Sequence, residues 1–289
     1  MIDIRDTRIA SGLFLLACLA LGACNFGSDD DGERDGNDGG GSTVALQGGV
    51  SFSILDTWVD PEEVSEPVIL LEMQTDKKYA DLCHELVADV DDGPDSVIVR
   101  LRHVFVPEDP GACASLSGPA TYRDTLALEP GAYHLAFEYG AWRDPYELGV
   151  TDSTIYIVGA DGAFTTPLVP LAWRVPPLSF VYECRTTDAM AWVSNDFADS
   201  LAAVAHAREF SFAGPGVIPY PSYEPGSSNQ YRYFVYDAES DYVAAGALLE
   251  RYMRNVVGDD DGVVITLLNW RREGYYSWPT KRPASDREL

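Results

Sequence analysis

The sequence predicts a mainly β protein in which a β-sandwich domain precedes a smaller α+β domain. Short apolar runs alternate with turn residues about every ten positions up to residue 158, a rhythm typical of a β-sandwich. A proline-rich stretch over residues 161–178 interrupts that rhythm, and amphipathic helical patterns follow it. The chain has 289 residues, 46% of them apolar, so it can bury one large core or two modest ones.

Residues 1–23 are expected to be a bacterial export signal. The apolar run 13–21 has the length of a signal-peptide core and is shorter than the about 20 residues needed to span a bilayer. The residues Leu21-Gly22-Ala23-Cys24 resemble the lipobox of bacterial lipoproteins. This resemblance implies that Cys24 is diacylated on its sulfur and becomes the mature N-terminus. Asn25, in place of the aspartate that retains inner-membrane lipoproteins, favours the outer membrane, with the protein facing the periplasm or the cell surface.

Residues 24–43 are predicted to be a flexible tether. The tract 27–43 is rich in Gly, Ser and Asp and contains no apolar residue, so it cannot offset the entropy cost of ordering itself. Its acidic side chains repel one another and extend the chain. The tether would therefore separate the lipid anchor from the folded part.

The charge balance limits the partners that the protein can have. Lysine and arginine number 20 and aspartate and glutamate 46, for a formal net charge of −26. Nucleic-acid binding needs an excess of basic residues to neutralise phosphates, so nucleic acid is excluded as a partner. The expected partners are the membrane, through the lipid on Cys24, and an envelope protein or a glycan.

Residues 44–160 are predicted to form the β-sandwich. The segment 97–104 shows the alternation of a half-buried strand, with Val97, Val99 and Leu101 on one face. Eight strands are predicted, at Val50–Trp58, Pro67–Gln74, Leu82–Val90, Ser96–Phe105, Thr121–Leu128, Ala132–Tyr139, Tyr146–Val150 and Thr154–Val158.

Two local patterns within this domain resemble known modules. The run 128–133, in which Pro130-Gly131 precedes Tyr133, resembles the tyrosine corner of immunoglobulin-like and fibronectin-type domains. That resemblance implies an immunoglobulin-like sandwich in which the Tyr133 hydroxyl bonds back to the corner backbone. The wider frame from Tyr79 to Ala120, which contains both cysteines of the domain, is similar to bacterial lipoproteins that have no assigned activity.

The cysteines predict one disulfide. An exported chain folds in an oxidising compartment, so Cys83 and Cys113 are expected to pair. Closing a loop of about 30 residues contributes about 3–4 kcal/mol in the chain-entropy model. Cys184 lies in the other domain and is predicted to remain a free, buried thiol. A metal site formed by Cys83, Cys113 and His84 is the alternative.

Residues 179–289 are predicted to form the α+β domain. The element order is β-α-β-β-α-β with an added edge strand, which resembles ferredoxin-like domains. The strands are predicted at Ser179–Cys184, Glu209–Phe212, Gln230–Tyr236, Val263–Trp270 and Tyr275–Trp278, and the helices from the cap at 194–196 to Arg208 and from Asp237 or Ser240 to Val256.

The sequence contains no complete catalytic motif among those considered. The pair His84-Glu85 begins like a zinc-protease helix, but Ala88 stands where the second histidine ligand is required. Two aspartate clusters are interpreted as turns, because aspartate bonds the local backbone there, and calcium binding is the alternative. The clusters are Asp89, Asp91 and Asp92, and Asp259, Asp260 and Asp261. The protein is therefore predicted not to be an enzyme and to need no cofactor other than possible calcium.

Aromatic residues are the remaining functional signal. Tyr220 and Tyr223 lie in the loop 214–226, whose prolines stiffen it, and Tyr276 and Trp278 lie on the predicted edge strand. Exposed rings of this kind stack on sugars or anchor a protein partner. The sequence thus predicts a non-enzymatic binding or structural module. Two alternatives are an exported hydrolase that uses carboxylates, directed at glycans, and a calcium-stabilised adhesion module.

Overall fold

The computed structural model describes most of the chain after the predicted tether. The described residues are 41–60, 63–80, 83–107, 117–159, 162–220, 229–258 and 262–277. The lipobox, Cys24 and tether residues 24–40 lie outside them, so lipid anchoring stays a prediction. Residues Gly40–Leu289 form one compact unit. No helix among the described residues is long and apolar enough to cross a membrane.

The protein is mainly β, as predicted, and its first eleven strands belong to one curled, mixed sheet. They are β1 (Gly41–Val44), β2 (Val50–Thr57), β3 (Val68–Tyr79), β4 (Glu85–Asp92), β5 (Ser96–Pro107), β6 (Gly118–Leu126), β7 (Gly131–Tyr139), β8 (Trp142–Val150), β9 (Thr154–Val158), β10 (Thr165–Pro167) and β11 (Leu171–Trp173). Their order is β10-β2-β3-β6-β4-β5-β7-β8-β9-β11, and β1 pairs with β5. All eight predicted strands are present, with ends shifted by a few residues.

The curl of this sheet makes its own core. The rings of Phe52 on β2 and Phe137 on β7 lie 4.3 Å apart between centroids, and Tyr146 on β8 meets Phe52 edge-on at 5.3 Å. Strands that are distant in the sheet order therefore face each other across the core. The apolar residues that alternate along β2, β5 and β7 pack in this core together with others from β3, β8 and β9.

The proline-rich stretch was predicted to be a connection between domains, but it contains β10 and β11. Strand β10 pairs with β2 and β11 pairs with β9, so this stretch joins both ends of the curled sheet. Its prolines are tolerated because an edge strand does not need every N–H group. The carbonyl of Pro170 still accepts the Ile157 amide at 2.9 Å. Likewise, residues 41–43, assigned to the tether from sequence, lie in β1, paired with β5.

A buried carboxylate fixes the turn before β10. Asp144 is 3% exposed and accepts the amides of residues 163, 164 and 165 at 2.8–2.9 Å and the Thr165 hydroxyl at 2.9 Å. Burial acts to raise the pKa of Asp144, but these hydrogen bonds outweigh it and the pKa is lowered. Asp144 therefore has a structural role as an anion held by the backbone.

The tyrosine at the predicted corner makes the implied hydrogen bond. The Tyr133 hydroxyl donates to the Glu129 carbonyl at 2.8 Å, and the ring is 7% exposed. The bond ties the start of β7 to the turn that precedes it.

The remaining strands form a second, fully antiparallel sheet with two helices on one face. They are β12 (Ser179–Thr186), β13 (Arg208–Phe210), β14 (Asn229–Val235), β15 (Val263–Asn269) and β16 (Gly274–Tyr276), and the helices are α1 (Trp192–Val204) and α2 (Glu239–Tyr252). The sheet order is β13-β14-β12-β15-β16. The element order along the chain matches the sequence prediction.

The ends of both helices differ slightly from the prediction. Ser194 was expected to cap α1, but α1 begins at Trp192 and the Ser194 side chain is buried inside its first turn. Helix α1 ends at Val204 because the chain must extend into β13 a few residues later. A π-helical turn over Met253–Val257 continues α2 close to the predicted end.

Cys184 is a buried thiol, as predicted. It is 1% exposed and points into the core between the second sheet and its helices, where burial raises the pKa of the thiol. Cys113 lies outside the described residues, so the Cys83–Cys113 pairing stays a prediction.

Candidate binding face of the second sheet

Alternation along the strands gives the second sheet two different faces. Phe180, Tyr182 and Cys184 on β12 pack against the helices, together with Phe234 on β14 and Leu267 on β15. The residues between them point to the other side of the sheet. We call that side the open face; it carries Val181, Glu183, Tyr231, Tyr233, Thr266, Leu268 and Tyr276.

One part of the open face is covered by the junction with the first sheet. Trp58, Val175 and Tyr220 pack there against Val181, with Leu268 partly buried beside them. The Trp58 indole donates to the carbonyl of residue 270 at 3.0 Å. The sheets are thus joined by an apolar cluster rich in aromatic rings.

Tyr220 belongs to this junction, which corrects the prediction of an exposed binding ring. It is 3% exposed, its ring stacks on Tyr233 with centroids 5.8 Å apart, and its hydroxyl lies 2.7 Å from the Ser179 hydroxyl. Tyr220 is the last residue of the loop that the structure describes, and it packs against the open face. Tyr223 and Trp278 lie outside the described residues, so their roles stay predictions.

A second buried carboxylate strengthens the junction. Asp56 accepts the Val175 amide at 2.8 Å and lies 3.3 Å from the Arg174 guanidinium. Burial raises the pKa of Asp56, although the Val175 hydrogen bond and the Arg174 charge act against it. Asp56 connects the end of β2 to the segment that enters the second sheet.

Beyond the junction, one row of side chains crosses four strands of the open face. Tyr231 on β14 is paired with Glu183 on β12, Glu183 with Thr266 on β15, and Thr266 with Tyr276 on β16. Neighbouring strands lie about 4.8 Å apart, so the row is about 14 Å long. We call these four residues the tyrosine row.

The centre of the tyrosine row carries a fixed ion pair. Glu183 accepts the Tyr231 hydroxyl at 3.2 Å and the Arg185 guanidinium at 2.8–2.9 Å. The Glu183 side chain is 18% exposed and that of Arg185 56% exposed. Hydrogen bonding and the charge of Glu183 raise the pKa of Arg185. The carboxylate and guanidinium are therefore held in set orientations beside the rings.

Tyr276 forms the outer end of the row, at the sheet edge. It is 40% exposed, in agreement with its predicted place on an edge strand. Its ring lies over Gly274, where any Cβ atom would collide with it. Glycine at this position thus allows the ring to lie flat along the strand.

Aromatic residues on β13 and β14 extend the open face, and the site prediction did not single them out. Phe212 meets Phe210 and Tyr233 edge-on, with centroids 5.2 Å apart in both pairs. Burial, with a smaller contribution from Tyr231, raises the pKa of Tyr233 to about 12. The signal in the sequence was the period of two between Tyr231 and Tyr233, which places both rings on one face.

Of the two aspartate clusters considered for calcium, the structure describes the first and not the second. Asp89 pairs with Arg102, Asp91 lies 3.8 Å from Arg100, and Asp92 accepts the Ala127 amide at 2.9 Å. Residues 259–261 lie outside the described part. Among the described residues, no three His, Cys, Asp or Glu side chains gather in a group that could hold a metal ion.

The fold and the open face define a mainly β protein with an aromatic surface on its second sheet. Searches against protein-family models, curated proteins and solved structures find no match for the chain. Its function must therefore be argued from its own residues.

Proposed function

We propose that the protein is a lipid-anchored outer-membrane lipoprotein and a non-enzymatic binding module whose ligand sits on the open face. The observation that carries this proposal is the tyrosine row, which combines a 40%-exposed ring with an oriented ion pair. Side chains with aromatic and polar parts dominate binding sites because they bury area at low entropy cost.

The two buried carboxylates of the described residues favour binding over the hydrolase alternative. Asp144 accepts four hydrogen bonds from backbone and hydroxyl donors, and Asp56 is held by the Val175 amide and the Arg174 guanidinium. A carboxylate-dependent glycosidase needs an acid and a base on either side of one bond. The hydrogen bonds of Asp144 and Asp56 leave neither carboxylate placed to act as the acid or the base of such a pair.

The finer fold assignment belongs to the same proposal. The Tyr133 hydrogen bond supports an immunoglobulin-like origin for the first sheet. The second sheet supports a ferredoxin-like domain, because its first strand in the chain, β12, lies between β14 and β15 and both neighbours are antiparallel to it. The extra strand β16 then extends the sheet and carries Tyr276.

Lipid anchoring is tested with Cys24→Ala in the full chain. The variant should lose its lipid mass and leave the membrane fraction, or accumulate unprocessed. Cys18→Ala is the matched control, since Cys18 lies in the apolar run of the same export signal and outside the lipobox. A Cys24→Ala protein with unchanged mass and fractionation would refute the anchor.

Binding through the open face is tested with residues 40–289, which form one compact unit. Immobilised fragment is exposed to envelope extract, and captured material is compared with that of Tyr276→Ala. Tyr156→Ala is the matched control, because Tyr156 is 39% exposed, lies on β9 of the first sheet and also covers a glycine, Gly149. Loss of capture in Tyr276→Ala alone supports the proposal, and equal capture by all three proteins contradicts it. Release of sugar products during capture would restore the hydrolase alternative.

A further inference from the structure

We infer that the ligand of the open face is a neutral glycan chain that lies along the tyrosine row. This inference rests on the proposed function and names the class of ligand for the same surface. It follows from the order of side chains along the row, from its length and from its charge.

The ends of the row suit the apolar faces of sugar rings. Tyr231 is half-buried, with part of its ring against the junction cluster, and Tyr276 is 40% exposed; the strands that carry them are three spacings, about 14 Å, apart. A pyranose has one face of C–H groups that packs on an aromatic ring. Two such platforms at this separation fit an oligosaccharide and are too far apart to hold a single sugar between them.

The centre of the row suits the hydroxyl edges of the same chain. Glu183 offers a carboxylate that accepts hydrogen bonds, Arg185 offers guanidinium donors, and Thr266 offers a hydroxyl. Tyr231 and Arg185 already orient the carboxylate, so little side-chain entropy is lost on binding.

The same arrangement is unfavourable for a protein partner. Protein interfaces concentrate their energy in an apolar centre surrounded by a polar rim. Along the tyrosine row the order is reversed, with the ion pair of Glu183 and Arg185 in the centre and the rings at the ends. An apolar protein surface over that pair would remove the water that hydrogen-bonds to both charges. It would offer no hydrogen bonds in place of those lost.

Charge selects a neutral chain over an anionic one. The one carboxylate of the row, Glu183, is balanced by the neighbouring guanidinium of Arg185, and the chain as a whole has a formal charge of −26. A polyanionic glycan would be repelled by this surplus. The covered part of the open face, where Trp58 and Tyr220 pack on Val181, borders the row at Tyr231, which is partly buried against it.

The test uses fragment 40–289 and a stated set of probes. Neutral trisaccharides (maltotriose, cellotriose, chitotriose and mannotriose), their monosaccharides and an acidic trisaccharide of uronic acids are titrated by calorimetry. We expect at least one neutral trisaccharide to bind, more tightly than its monosaccharide and than the acidic probe. Tyr276→Ala and Tyr231→Ala should each weaken this binding about tenfold through lost stacking. Glu183→Gln should weaken it while Tyr156→Ala leaves it unchanged.

The possible failures separate the inference from the proposed function. If no neutral trisaccharide binds but fragment 40–289 captures an envelope protein in a Tyr276-dependent way, the glycan inference is wrong and the binding proposal stands. If neither is observed, both are wrong. Sugar binding that survives Tyr276→Ala and Tyr231→Ala places the glycan elsewhere and also overturns the inference. Circular dichroism of each variant confirms that a lost signal reflects the site and not unfolding.

Discussion

Two polar clusters, one in each sheet, differ in whether the protein encloses their side chains. In the first sheet, Asp144 and Tyr146 are buried and make hydrogen bonds only within the protein, to residues 162–165. In the second sheet, Glu183 and Arg185 lie on a face that the helices leave uncovered. A polar group enclosed by its own chain stabilises the fold, whereas one on an uncovered face can exchange water for a ligand.

This difference arises from how each sheet covers itself. The first sheet curls until β2 faces β7, and the curl alone buries its inner side chains. The second sheet is an open path of five strands, and α1 and α2 cover one of its faces while the junction covers part of the other. The tyrosine row, from Tyr231 to Tyr276, is the part of the open face that neither the helices nor the junction covers, except where Tyr231 packs partly against the junction.

The largest expected effect is in the first sheet, at Asp144. Asp144→Ala leaves two part-buried amides and the buried amide and hydroxyl of Thr165 without their acceptor, so we expect a loss of about 3–5 kcal/mol in the free energy of unfolding. Urea titration followed by circular dichroism measures it. The exposed Asp152→Ala in a neighbouring turn should change little, and equal stability of the two variants would contradict this role for Asp144.

Asp144 also makes the stability of the protein depend on pH in the acid range. The pKa of Asp144 is lowered from 3.8, so the folded state binds its proton less tightly than the unfolded state does. The stability it contributes is complete above pH 3.8 and is lost as the pH falls through its lower native pKa. Asp144→Asn should therefore weaken the dependence of the melting temperature on pH below 4.

The next effect tests the junction between the sheets. Tyr220→Ala removes a buried ring that stacks on Tyr233, so we expect a loss of about 3 kcal/mol. Tyr220→Phe keeps the ring but loses the contact with the Ser179 hydroxyl and should cost about 1 kcal/mol. Unfolding monitored by tryptophan fluorescence reports on Trp58 beside it. An unchanged melting temperature in Tyr220→Ala would revive the exposed-ring prediction.

A smaller effect is expected at the corner of the first sheet. Tyr133→Phe removes only the hydroxyl that donates to Glu129, so the free energy of unfolding should fall by about 1 kcal/mol. Tyr122→Phe is a comparison on β6, where the hydroxyl donates to Asp124 in a half-buried position. If the two substitutions have equal effects, the corner contributes no more than an ordinary tyrosine hydrogen bond.

The smallest effect on stability is expected on the open face. Tyr276→Ala should lower the free energy of unfolding by about 1 kcal/mol or less, because the residue is 40% exposed at the sheet edge, with its ring over Gly274. Gly274→Ala tests the reason for the ring's position, since the added methyl group must displace the ring. It should alter ligand binding more than it alters stability. A Gly274→Ala protein that binds like the wild type would show that the ring's position does not matter.

Local patterns in the sequence predicted most strands and helices. They did not predict which strands pair or which segments pack together. Short apolar runs separated by turn residues located eight of the eleven strands of the first sheet, and the resemblance to a tyrosine corner predicted the Tyr133 hydrogen bond. The prolines of residues 161–178 were misleading, because edge strands and connections tolerate proline equally well. Nothing local distinguishes a proline-rich loop that is exposed from one that folds back, so the burial of Tyr220 was missed.

The tyrosine row depends on register, which local sequence does not contain. Tyr231 and Glu183 are 48 positions apart, and they meet only because β14 pairs with β12 in one particular alignment. Tyr276 was predicted from its edge strand alone, without its partners. The sequence supplied the residue types of the site, and the pairing of strands determined their neighbours.

The ends of both sheets have a consequence for how molecules of this protein meet each other. The strands at the four sheet ends are β10, β11, β13 and β16, and each is three residues long, with Pro167 in β10. Intermolecular sheet growth needs a long row of unpaired backbone N–H and C=O groups, which so short a strand does not offer. The strand β1, which pairs with β5 off that order, is four residues long, so the described sheet edges offer little backbone for edge-to-edge growth into fibrils.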